Sequence, residues 1–171
     1  MNETETILMV DDSQDDLFLL RECFAQAKCK HPLQEVHNGE EAIAYLNGDG
    51  PYADRSKFPL PIAMLLDLNM PKKSGFDVLV WLRAQPGIKR LPVYILTASN
   101  RAEDVDIAFQ LGATGFLVKP STLELLTSML RCLTEWVEIN HFPTLTEVGK
   151  NQKTGPLPDK HPEPLLSTSL R

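Results

Sequence analysis

Ile62–Leu79 reads IAMLLDLNMPKKSGFDVL: five consecutive apolar residues that stop at Asp67, a turn-forming stretch with Pro71, and a helix start at Ser74-Gly-Phe-Asp77. An unbroken apolar run of this length is what a strand covered on both faces looks like. The same grammar recurs on either side. Ile7–Val10 ends in Asp11-Asp12, Leu91–Leu96 in Thr97, and Phe116–Val118 in Lys119-Pro120, with a weaker strand at Leu33–His37. Ser13 to Asp16, Asn38 to Glu41, Asn100 to Glu103 and Ser121 to Glu124 each set a capping side chain three residues ahead of an acid, where a helix should begin. Leu17, Leu20, Phe24 and Ala27 form one helical stripe. Leu123, Leu126, Leu130, Leu133 and Val137 form another, which Met129 and Trp136 extend as core or interface packing. The order βαβαβαβαβα predicts an α/β fold with a five-stranded parallel sheet, right-handed crossovers and helices on both faces.

Two stretches fall outside the pattern. Asn47–Pro61 is a long insertion bearing proline and glycine, and loops of that length are often functional. From His141 onward there are five prolines in 31 residues and little apolar periodicity. The chain therefore divides into one domain over 1–140 and an extended, flexible tail over 141–171. Residues 1–140 hold 20 acids against 13 bases, a balance that disfavours DNA and suits a metal ion or a basic partner. Cys23, Cys29 and Cys132 have no metal-ligand spacing and read as free thiols in a reducing compartment. The N-terminus has acids where a signal peptide needs bases, and its apolar run is too short to span a membrane, so the expected location is the cytoplasm.

In an open parallel sheet, ligands bind beyond the carboxyl ends of the strands. The polar residues there are Asp11, Asp12, Asp67, Thr97 and Lys119. Three carboxylates brought together repel, so either one is protonated or a cation holds them. With no histidine or thiol among the strand ends, the suited cation is a hard, oxygen-binding one, Mg²⁺ or Mn²⁺, rather than zinc. His37 reads as a surface residue. A carboxylate beside a metal and an ammonium can accept a phosphoryl group, with the cations neutralising its oxygens and a hydroxyl bonding to it afterwards.

The motifs VDDSQDD, LLDLNMPKKSGFDVL, ILTAS and GATGFLVKP, in that order over residues 5–138, resemble the response-regulator receiver domains of two-component signalling, which have the (βα)5 flavodoxin-like fold. The resemblance implies that Asp67 is the phosphoacceptor. Asp12 would bind Mg²⁺ directly, Asp11 mainly through water, and Asn69 through its backbone carbonyl. Lys119 would pair with Asp67 and then with the phosphoryl oxygens, and Thr97 would be the switch hydroxyl next to the small Ala98. Phe116 takes the place of the switch aromatic, without the hydroxyl of a tyrosine; Pro71 and Gly75 shape the turn. The implied donor is a sensor histidine kinase. The domain would catalyse its own phosphorylation and dephosphorylation and would not be a turnover enzyme. The insertion and the lack of an effector module resemble the cyanobacterial phytochrome response regulators, which implies a phytochrome-type kinase. Output would pass through protein contacts, a homodimer or a further phosphorelay partner. A constitutive binding module and a phosphatase using Asp67 are the competing readings. The first is disfavoured by the intact set of site residues, the second by Asn69 standing where a second acid is needed.

Overall fold

The computed structural model describes residues 5–142 and 145–147. Its elements are β1 (Thr6–Val10), α1 (Gln14–Gln26), β2 (Leu33–Val36), α2 (Gly39–Asn47), β3 (Pro61–Leu66), α3 (Gly75–Arg83), β4 (Val93–Thr97), α4 (Ala102–Gln110), β5 (Gly115–Val118) and α5 (Leu123–Ile139). All strand pairs are parallel, in the order β2-β1-β3-β4-β5. This is the five-stranded doubly wound sheet expected from the alternation of apolar runs and capped helices.

The strand pleat divides the core in two. Leu8, Val10, Met64 and Leu66 face one way and pack with α2, α3 and Ala108 of α4. Ile7, Met9, Ala63 and Leu65 face the other way and pack with α1 and α5. All of these side chains are at most 2% exposed, and burying a large one is worth roughly 1.5–3 kcal/mol. The central strands thus carry the core. The edge strands contribute less: Val36 of β2 is buried, but the other three β2 residues are half-buried and Val118 of β5 is exposed.

Three of the five expected caps are in place. Ser13, Asn38 and Ser74 accept the amides of Asp16, Glu41 and Asp77, and Ser74 with Asp77 completes a capping box. The other two are corrected. Helix α4 starts after Arg101, which makes no side-chain cap, while Ser99 just upstream accepts the Arg101 amide and donates to Asp104. Helix α5 is capped by Thr122, one residue later than expected, through the Leu125 amide. Leu123 is accordingly half-exposed rather than part of the buried stripe.

The insertion between α2 and β3 is ordered. A 3-10 turn, Gly50–Ala53, brings Tyr52 against Tyr45 and Phe58, with ring centroids 5.2–6.0 Å apart in all three pairs. The Arg55 guanidinium donates to the carbonyls of Tyr45, Leu46 and Phe58, satisfying the end of α2 and tying the insertion to it. Part of the expected tail is also packed: Phe142 lies on the α1–α5 core, Leu145 on the opposite one, and the Thr146 amide donates to the Gly87 carbonyl at 3.1 Å. The remainder of the expected flexible tail lies outside the described residues. Among the described residues, no helix is long and apolar enough to cross a membrane.

Candidate functional site

Sheet register alone places the candidate residues. Val10 lies level with Leu66, and the ladder continues one step past both strands: the Asp67 amide donates to the Val10 carbonyl at 2.9 Å and the Asp11 amide to the Val36 carbonyl at 3.2 Å. Strand β1 has β2 on one side and β3 on the other, so the chain order reverses here and a crevice opens between the two carboxyl ends. Asp11 and Asp67 line it, 3% and 7% exposed, with the exposed Asp12 beside them. Across the sheet, Thr97 is level with Val118, and the Lys119 amide donates to the Thr97 carbonyl at 2.8 Å. Five residues spread over more than a hundred positions thereby share one edge.

The three carboxylates each offer an oxygen within 4.8 Å of the others. Asp67 Oδ1 is buried and has no hydrogen-bond partner among the described residues. A buried carboxylate oxygen left without a donor is costly unless something else binds it. An all-oxygen set of this charge fits a hard divalent cation, which prefers carboxylates and retained water. Asn69 follows at an exposed position; its side-chain amide lies 3.5 Å from the Thr97 hydroxyl.

The turn after Asp67 needs glycine at one position. A Cβ on Gly75 would stand 2.3 Å from the Asp67 carbonyl oxygen, while the Gly75 amide donates to the Leu68 carbonyl at 3.1 Å. The start of α3 is thus pressed against the backbone of the site.

Lys119 is where structure and expectation part. Its ammonium donates to Asp11 Oδ2 at 2.6 Å and to Asp16 Oδ2 at 2.5 Å, and not to Asp67 as expected. The physical reason is competition: two carboxylate oxygens on the β1–α1 side lie within bonding reach, and an ammonium bonds best where two anions share it. Burial opposes the charge on Lys119, but the bonds to Asp11 and Asp16 outweigh it and hold the ammonium above its ordinary pKa. Burial raises the Asp11 carboxyl; the bonds from Lys119 and from the Ser13 amide offset this only partly, and the neighbouring Asp67 charge adds to it.

Thr97 is fully buried, its hydroxyl accepting the Ser99 amide at 3.3 Å, and Ala98 next to it is exposed. Phe116 is half-buried against the α2–α4 core. His37 is at the surface beside Glu41, as expected. Asp16 is the residue that sequence reasoning missed. In the sequence it is only the acid of the α1 start, and nothing in its spacing distinguishes it from any acid in a first helical turn.

Comparison with known proteins gives a consistent neighbourhood. The family described as "Response regulator receiver domain" matches residues 7–131. The response regulator Rcp1 of Synechocystis sp. is 34% identical over 143 residues, covering 83% of this chain and 95% of that one. The structure of the phosphorylated cyanobacterial phytochrome response regulator RcpA superposes with a TM-score of 0.75 at 32% identity, covering 82% of this chain and 99% of that one. The Mn²⁺-bound form of Rcp1 gives a TM-score of 0.73 at 34% identity with the same coverage.

Proposed function

The chain belongs to the response regulator receiver family, and from that premise we propose that it is a switch phosphorylated on Asp67 by a sensor histidine kinase. One observation carries the reading: a buried, unpartnered Asp67 oxygen within 4.8 Å of oxygens of Asp11 and Asp12. Asp67 acts as nucleophile on the phosphorus of a phosphohistidine. Its oxygen forms the new O–P bond as the N–P bond breaks, and the imidazole leaves. Asp11, Asp12, Asp67 and the Asn69 backbone carbonyl would hold Mg²⁺ (or Mn²⁺, as bound in the Rcp1 structure). That ion supplies neutralisation of the phosphoryl oxygens.

The chain's own residues do the rest. Lys119 moves from its carboxylate partners to the phosphoryl oxygens, and Thr97 turns its hydroxyl to donate to them. The exposed Ala98 leaves the approach open. Phosphorylation adds about −1.5 to −2 charge at the crevice, and Thr97 and the half-buried Phe116 connect that change to the face formed by α4, β5 and α5. The receiver thus catalyses its own modification and demodification. Likeness to phytochrome response regulators supports a phytochrome-type kinase as donor. Output runs through protein contacts, with a second copy or a phosphorelay protein as receiving partner.

The test is incubation with acetyl phosphate and MgCl2 followed by intact mass measurement. A hydroxylamine-labile phosphoryl adduct is expected in the native chain and absent in Asp67→Asn. No adduct, or an adduct that survives the substitution, overturns the reading.

A further inference from the structure

Asp16 has no part in the mechanism above, and its position asks for one. An acid in the first turn of a helix ordinarily serves the helix dipole. The Asp16 amide does serve the cap, donating to Ser13 Oγ at 3.2 Å. The side chain goes elsewhere, to an ammonium 103 residues away, at 2.5 Å. Lys119 Nζ has three protons, and Asp11 and Asp16 together take two of them. Asp11 follows β1 and Asp16 lies in α1, so neither acceptor comes from the β3 end that carries Asp67, although Asp11 keeps an oxygen within 4.8 Å of one of Asp67.

The two holders are not equivalent. Asp11 belongs to the carboxylate trio whose oxygens are within 4.8 Å of one another, whereas Asp16 does not. When Asp11 engages a cation, Asp16 is the carboxylate left to retain Lys119. The Asp16–Lys119 pair also walls a cavity of about 170 Å³ bounded by Leu19, Leu20, Leu123 and Leu126. Apolar surroundings on one side strengthen a charge-assisted bond relative to one in open water. The Lys119 side chain is 20% exposed and that of Asp16 38%, so water weakens the bond without replacing it.

We propose that Asp16 is a positioning residue that holds Lys119 off Asp67 until a transferring phosphoryl group competes for the ammonium. The proposal rests on Asp67 being the phosphoacceptor. Its consequence is a brake on uptake: part of the attraction between Lys119 and the phosphoryl oxygens is spent in leaving Asp16.

Asp16→Asn keeps the side-chain shape and the amide bond to Ser13 but removes the charge. With acetyl phosphate and MgCl2, this variant is expected to take up phosphoryl about three- to ten-fold faster than the native chain. In a Lys119→Gln background the same substitution should change nothing, which a general structural effect would not reproduce. An unchanged or slower rate, or an equal gain in the Lys119→Gln background, overturns the proposal. If neither the native chain nor Asp16→Asn gains mass, the phosphoacceptor reading fails by itself. The Asp16 contact is then decided by acetic anhydride labelling of Lys119 relative to Lys89: faster labelling in Asp16→Asn upholds the hold on Lys119, and equal labelling overturns it.

Discussion

Placing Asp11, Asp12 and Asp67 oxygens within 4.8 Å of one another stores repulsion that the fold must carry. Two unit charges about 4 Å apart interact by roughly 4 kcal/mol at a surface-like dielectric, and relaxation and counter-ions leave a fraction of that. Asp67→Asn should therefore raise unfolding stability by about 1 kcal/mol in buffer free of divalent ions, read from urea denaturation. Added MgCl2 should stabilise the native chain by mass action and the variant much less. At this scale the residues legible in the sequence were those that end strands, because topology gathers strand ends and a polar residue after an apolar run stands out. Asp16 was illegible for the opposite reason. It lies within a helix, where an acid has an ordinary use, and only the folded crossover brings Lys119 to it. Pairing of Lys119 with Asp11 and Asp16 in place of Asp67 was hidden likewise, since three carboxylates act on one ammonium and sequence order does not rank them.

The elements themselves were read from local chemistry, and they fail where that chemistry is ambiguous. Ser121 and Thr122 are adjacent hydroxyls, and either could have capped α5. The insertion lacked apolar periodicity, yet it folds because its aromatics have Tyr45 to pack against and Arg55 finds three carbonyls at the end of α2. Tyr45 is fully buried and donates to the Pro59 carbonyl at 2.8 Å. Burial pushes its phenol up from 10.0 to about 12. A group whose folded pKa is raised contributes stability that is whole below its unfolded pKa and lost as pH climbs through the folded value. Stability of the native chain should therefore fall between pH 10 and 12 by up to about 2.7 kcal/mol on account of this residue. Tyr45→Phe loses about 1 kcal/mol at neutral pH with the Pro59 bond. It should show a shallower alkaline decline in urea titrations, so the two stability curves cross between pH 10 and 12.

Across the whole molecule, the carboxyl ends of the strands carry the chemistry, and the loop that feeds β4 from below carries a different device. After α5, Phe142 packs on one hydrophobic core and Leu145 on the other, so this end of the described chain contacts both layers that the sheet separates. It can do so because Gly87 has no side chain: a Cβ there would stand 2.4 Å from the Thr146 carbonyl oxygen and 2.9 Å from its hydroxyl. Five prolines and weak periodicity concealed this packing, since a lone glycine in a loop does not announce what lies against it. Gly87→Ala must then displace either the loop or residues 145–147. The backbone bond from the Thr146 amide to the Gly87 carbonyl is the contact at risk, together with the burial of Leu145. A bond of that kind is worth about 1 kcal/mol net and a partly buried leucine about as much again, which sets the expected loss at roughly 1–2 kcal/mol. Amide hydrogen exchange should locate the loss at Thr146, exchanging faster while the central strands stay protected. Phosphoryl uptake at Asp67 should be unchanged, because the strap contacts the end of the sheet opposite the crevice.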